Sequence, residues 1–109
     1  MFKIVSDPQF THDVPVMVPV DGGHREDLLR TRFRQLRDDE MASADFETTE
    51  GIKSILRAAI VSFEDVVDDA DKHIPMSDEL REKLLAVPYI RIGLANAYGR
   101  AMAKARLGN

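Results

Sequence analysis

Val14-Pro15-Val16-Met17-Val18-Pro19-Val20-Asp21-Gly22-Gly23 is the stretch that decides the fold. Valine recurs at every second position, with proline or methionine between. Successive side chains of a strand point to opposite faces, so this period of two places the valines on one face of a half-buried strand. Proline cannot donate to a ladder, which assigns the strand to a sheet edge. Asp21-Gly22-Gly23 then supplies the residues of a tight reversal.

The return strand runs from about Asp27 to Leu36, with Leu29, Thr31 and Phe33 on one face and Arg30, Arg32 and Arg34 on the other. Pairing the valine face with Leu29 and Phe33 gives a hairpin whose apolar side needs a cover, because two strands alone are marginal in water. Phe2–Val5 is the candidate third strand, and helices supply the cover.

After Arg37 the period changes. Asp38 to Ala44 reads as a short helix or turn with acidic residues suited to a helix start. Thr48 or Thr49 caps the next helix, with apolar positions Ile52, Ile55, Leu56, Ala59, Ile60 and Phe63 spaced by threes and fours. The acidic stretch Glu64–Lys72 finishes that helix and opens into a loop. Ser77 caps a helix carrying Leu80, Leu84 and Leu85, and Pro88 ends it and starts another. The last helix carries Ile90, Leu94, Ala97, Tyr98, Ala101, Met102 and Ala105 on one side. Gly93, Ala97, Ala101 and Ala105 form a small-residue row that lets another helix come close. Lys104 and Arg106 suit its carboxyl end, and Gly108 is its expected stop. The expected fold is α+β: one domain over residues 1–109, an amino-terminal antiparallel hairpin (1–37) packed on about four helices (38–109).

The totals fit this reading. At 109 residues, 44% hydrophobic and 31% charged, the chain supports a single modest core. Aromatics are 6% and tryptophan is absent, so packing rests on aliphatic residues. There is no cysteine, which excludes disulfides and thiolate metal sites and fits a reducing compartment. The start, Met1-Phe2-Lys3-Ile4-Val5, lacks the apolar core of a signal peptide, and no segment approaches the ~20 apolar residues needed to cross a bilayer. The reading is a soluble protein without a membrane. The net charge of −4 divides into +1 over residues 1–37, −8 over 38–76 and +3 over 77–109. Each zone can steer a different partner.

Chemistry has few candidates. Read as a calcium loop from Asp69, the acidic run puts Ile74 where glycine is needed and Leu80 where a glutamate should close the site, so it fails. His12, His24 and His73 lie in separate segments and offer no ligand spacing. Asp38-Asp39-Glu40 are adjacent and point apart, a poor acid-base pair. Gly22-Gly23 is too short to cradle phosphate, and no nucleophile motif is present. No catalytic, cofactor or metal residue is assigned, and the chain is read as a non-enzyme. Binding candidates remain. Arg30, Arg32 and Arg34 form a basic stripe that could meet phosphates, but the pI near 5.3 and the lack of interleaved aromatics favour a solvated face paired with acids, or a protein partner. Tyr89, Ile90, Ile92 and Leu94 cluster where the last helix begins, and not all can face inward. Tyr89 and Ile92 are therefore candidate anchors beside the core reading.

These segments resemble a phage tail assembly chaperone of the long-tailed phage type, a small protein also carried by prophages. The resemblance covers nearly the whole chain. It comprises Met1-Phe2-Lys3-Ile4, Asp7-Pro8, Phe33-Arg34, Arg37-Asp38-Asp39-Glu40, Phe63-Glu64-Asp65-Val66, Ile74-Pro75-Met76-Ser77 and Pro88-Tyr89-Ile90 leading to Ala97-Tyr98. Many relatives have tryptophan near position 63; Phe63 keeps the aromatic and loses the indole donor. The resemblance implies a non-catalytic protein of the bacterial host cytoplasm, absent from the mature virion. It would bind the tape-measure protein reversibly and help tail-tube subunits assemble around it. Phe63, Tyr89, Ile92 and Tyr98, with Arg30, Arg32 and Arg34, are the expected partner-binding residues, and a helical segment of the partner could lay its apolar stripe into a groove between the last two helices. Self-association is left open. The rivals are a small nucleic-acid-binding regulator using Arg30, Arg32 and Arg34, and a structural tail-completion protein.

Overall fold

Valine alternation does build the hairpin, and the register carries it further than the valines alone. The computed structural model describes residues 1–107, with side chains described as far as Ala103. The Gly108 stop lies outside the described residues, as do the side chains of Lys104, Ala105 and Arg106. Strand β1 (Gln9–Val20) pairs antiparallel with β2 (Gly23–Arg34), setting Val14 opposite Leu29 and Phe10 opposite Phe33. Gly22 makes the reversal at φ +78°, a conformation glycine adopts without steric cost. The Gln35 amide donates to the Pro8 carbonyl, so even-numbered residues of β1 face the ladder. Pro15 and Pro19 have the opposite parity. Their missing donors fall on the outer edge, where the ladder loses nothing.

The third strand is a correction. Phe2–Val5 is not in a strand and is exposed. Instead β3 (Ile60–Glu64) pairs with β2, giving an antiparallel sheet in the order β1-β2-β3. It lies inside the region read as wholly helical. The helix that was expected to reach Phe63 stops at Ala59: α2 spans Thr49–Ala59, and Ile60 turns extended at φ −81°, ψ 119°. The register skips Val61 at an irregularity facing Arg32 and Phe33. That bulge brings Ile60 and Phe63 onto the same buried face, three residues apart.

The other elements follow their local signals. Helix α1 (Asp38–Met41) is one turn, closed by Glu40 accepting from the Arg37 amide. Thr48 caps α2 by accepting from the Gly51 amide, and Ser77 caps α3 (Asp78–Leu85) by accepting from the Leu80 amide. Helix α4 (Pro88–Leu107) begins at the expected proline. The acidic loop after β3 is shaped by Asp68, whose carboxylate accepts from the amides of Ala70 and Lys72, while Val67 bridges to His73.

The core lies between the sheet's inner face and the helices: Val14, Val16, Phe33, Leu36, Ile55, Leu56, Ala59, Ile60, Phe63, Leu80, Leu85, Leu94, Ala97 and Tyr98. The small-residue row of α4 serves this arrangement in an unexpected way. At Gly93 it approaches strand β1 rather than a helix: a Cβ there would stand 2.9 Å from the Pro15 carbonyl oxygen. Helix α4 therefore runs along the proline-bearing edge of the sheet.

One glycine is under tighter constraint. Gly51, buried in the first turn of α2, lies against the Asp45 backbone, where an added Cβ would overlap the carbonyl. Gly51→Ala should lower stability by about 2 kcal/mol or more, although alanine is the better helix former by about 1 kcal/mol. Urea unfolding of the two proteins checks this.

Candidate functional site

The seven residues singled out by sequence fall into three places. Phe63 is buried on the inner face of β3 opposite Thr31 and is a core residue. Tyr98 is buried too. Its hydroxyl donates to the Arg34 carbonyl and accepts from the Leu36 amide, each at 3.0 Å, and its ring packs against Phe10 and Phe33 at centroid distances of 6.2 and 5.2 Å. Phe63 is 3% exposed and Tyr98 5%, although Tyr98 also lines the depressions between α2 and α4 described below. Burial pushes the Tyr98 phenol up, as expected for a hydroxyl withdrawn from water.

Tyr89 and Ile92 do come together. With Pro15, Met17, Gly93 and Asn96 they line a groove of about 410 Å³ where the start of α4 meets the hairpin. Ile92 is 58% exposed and Met17 49%. His24, Glu26 and Arg100 give it a polar rim.

Arg30, Arg32 and Arg34 share the outer face of the sheet, as read from the alternation. Each is already engaged. Arg30 bonds Asp13 of β1 and Glu64 of β3, at 3.1 and 3.0 Å. Arg32 donates to Gln9 Oε1 and Thr11 Oγ1. Arg34 reaches Asp7, Glu40 and the Ala58 carbonyl. The acids come partly from the acidic central zone, so the charge division of the sequence closes on itself here. Pairs this exposed contribute little stability each. Their main effect is to leave the stripe with little uncompensated positive charge for a polyanion.

A further groove lies where sequence reading had not placed one. Phe46, Ile55, Tyr98 and Gly99 line two adjoining depressions between α2 and α4. The larger, about 580 Å³, adds Met41 and Met102, and the smaller, about 120 Å³, adds Ile52, Leu56 and Ala95. Phe46 stands 60% exposed on the segment between α1 and α2. No atom lies within 4 Å of a Cβ built on Gly99, so the glycine leaves the groove open. The lining is mainly apolar, with Asp38 the charged residue of the larger depression, and the methionines can adapt to varied shapes. This groove lies between α2 and α4, apart from the expected one between the last two helices, where Leu84 of α3 and Tyr89 and Ile90 of α4 line a separate depression. Phe46 carried no periodic signal, being a lone aromatic between acidic residues, and Gly99 is on no apolar stripe.

Among the described residues no group of three or more His, Asp or Glu side chains converges as metal ligands. No described helix is long and apolar enough to cross a membrane. No protein-family model, curated protein or solved structure matches the chain.

Two predictions follow from the bonds at the base of the sheet. Tyr98→Phe leaves the buried Leu36 amide without its acceptor and should cost about 1–3 kcal/mol in urea unfolding. Glu40 is held below the ordinary glutamate range by the Arg37 amide first and by Arg34 second. A depressed carboxylate adds stability above its unfolded pKa and loses it as pH falls through the folded value. Stability should therefore drop as pH falls below about 4.5, the ordinary glutamate value, and that drop should be smaller in Glu40→Gln. Urea midpoints measured from neutral to acid pH check the difference.

Proposed function

We propose that this protein is a tail assembly chaperone of a long-tailed phage or prophage. It acts without catalysis, binding the tape-measure protein reversibly in the bacterial cytoplasm and promoting assembly of tail-tube subunits, and it leaves before the virion matures. The observation that carries this reading is the apolar groove between α2 and α4. A helical partner with an apolar stripe can lay that stripe along Ile52, Ile55, Gly99 and Met102, in the manner of helix-in-groove recognition. Phe46 stands at the rim as an anchor. A shallow groove with few polar groups suits modest affinity, which a partner that must later be displaced requires.

The sequence resemblance supplies the partner's identity, and the groove supplies the means. The nucleic-acid reading has less support, since Arg30, Arg32 and Arg34 are held by Asp13, Glu64, Glu40, Asp7 and neutral acceptors. A tail-completion protein would remain in purified particles, whereas a chaperone is absent from them.

Co-expression with the tape-measure protein of a long-tailed phage should raise that protein's solubility and allow a pull-down. Gly99→Leu fills the groove while improving helix propensity by about 1 kcal/mol. The variant should fold at least as stably as the parent and retain about tenfold less partner, a loss of about 1.4 kcal/mol. Failure of the parent to retain the partner, or undiminished binding by Gly99→Leu, would refute the reading.

A further inference from the structure

The sheet's two edges are not equally protected. Along β1 the outward positions include Pro15 and Pro19, and α4 covers the stretch around Pro15. Strand β2 is different. Its odd residues pair with β1, so its even residues turn their amides and carbonyls toward β3. Strand β3 accompanies β2 only from Phe33 to Arg30, and ends at Glu64. Asp65 then adopts φ +59° and turns the chain away. Beyond that point the backbone of Leu28, Glu26 and His24 has no strand beside it. Such an edge is a template for another strand.

Beside this open edge is a cleft of about 500 Å³, with Val18, Leu29, Val66, Leu84 and Ile90 among its walls and Asp27, Asp65 and Asp69 at its margin. A strand continuing the line of β3 would send alternate side chains into that cleft and the others to the outer face, beside Glu26. The occupant must therefore alternate large apolar residues with small or basic ones. Phe2-Lys3-Ile4-Val5 has that pattern, and it is unpartnered: Phe2 is 89% exposed, Ile4 85% and Val5 56%.

The segment cannot reach the edge of its own chain. Pro8 is fixed to Gln35 at the base of the sheet, and Asp7 is bonded to Arg34. From Gln35 to Leu28 is about 23 Å along β2, at ~3.3 Å per residue. The added strand lies a further ~10 Å across, two strand spacings from β1. Phe2–Val5 is joined to Pro8 by two residues and falls well short even when fully extended, at ~3.6 Å per residue.

We propose that Phe2–Val5 of one copy adds as a strand to the open edge of β2, at His24, Glu26 and Leu28, of a second copy. Phe2 and Ile4 enter the cleft, and Lys3 lies on the outer face near Glu26. The contact is head-to-tail, so each molecule offers one arm and one edge. Four paired residues make a small interface, and association is weak and dependent on concentration. The proposal is independent of the tape-measure reading, which uses the opposite groove.

Sedimentation of the full chain across a wide concentration series should show the average mass rising above that of a monomer. Phe2→Asp with Ile4→Asp removes the arm, and Leu28→Pro removes an edge donor that takes no part in the β1-β2 ladder. Each variant alone should remain monomeric. Mixed, they should form a one-to-one dimer and grow no further, because only one intact arm and one intact edge are present. Hydrogen exchange gives a second readout without mutation: the Leu28 and Glu26 amides should become protected as concentration rises. A parent monomeric throughout, an arm variant that still associates, or edge amides unprotected in the assembled parent would each overturn the proposal.

Discussion

The Tyr98 hydroxyl is the point on which the arrangement turns. It joins residue 98 of the last helix to the backbone of residues 34 and 36, where the hairpin ends and the helical segment begins. Both bonds are to main-chain groups, so they fix the position of α4 against the sheet and not merely a side-chain rotamer. The ring completes a cluster with Phe10 and Phe33, drawn from both strands of the hairpin. In a chain with 6% aromatics, three of them meet at this one junction. Once α4 is held there, Gly93 meets the Pro15 carbonyl at one end and Gly99 faces α2 at the other. Both grooves are consequences of that placement.

Charge plays a different part. The basic face of the hairpin and the acidic middle of the chain would each be conspicuous alone, yet Glu40 and Glu64 bring the second back onto the first. Arg30 spans all three strands through Asp13 and Glu64, which makes it a cross-strand tie more than a docking group. The exposed surface away from this face includes large apolar side chains, Phe46, Met17 and Ile92 among them, and the lining of the grooves. This division explains why composition argued against a polyanion and yet the arginine alternation was real. Both statements describe the same locally neutralised face.

The hairpin, the Thr48 and Ser77 caps and the Pro88 boundary were legible because each rests on a short-range rule. Alternation, a side-chain acceptor at a helix start and the missing amide of proline act within a few residues. Strand β3 was not legible for a physical reason. The bulge at Val61 places Ile60 and Phe63 on one face three residues apart, the very spacing that signals a helix. Phe2–Val5 had a strand pattern without a strand, because pairing needs a neighbour within reach: β3 already flanks β2 at the Arg34 end, and its open stretch lies too far along the hairpin. Of the candidate binding residues, Tyr89 and Ile92 were visible as an excess of apolar residues at a helix start. Phe63 and Tyr98 were equally apolar and aromatic, but burial is a tertiary property, and the core claimed them. Gly99 was invisible for the opposite reason: what matters there is an absent side chain.

The edges of the sheet carry the same contrast between local and distant constraint. On β1, protection is written into the strand itself, since Pro15 and Pro19 have the parity that faces away from the ladder, and α4 adds cover around Pro15. On β2, protection comes only from β3, a segment of five residues beside a strand of twelve. Glu64 uses the end of β3 to hold Arg30, and Asp65 in a left-handed conformation then diverts the chain, so the pairing cannot continue toward the turn. Beyond β3 the sheet therefore continues as two strands only, with Leu28 at 64% and Val20 at 42% exposure. Two strands with an open edge are marginal alone. A sheet built in this way is most stable at its Arg34 end, where Tyr98 closes it, and most receptive to an added strand at its other end, where nothing does.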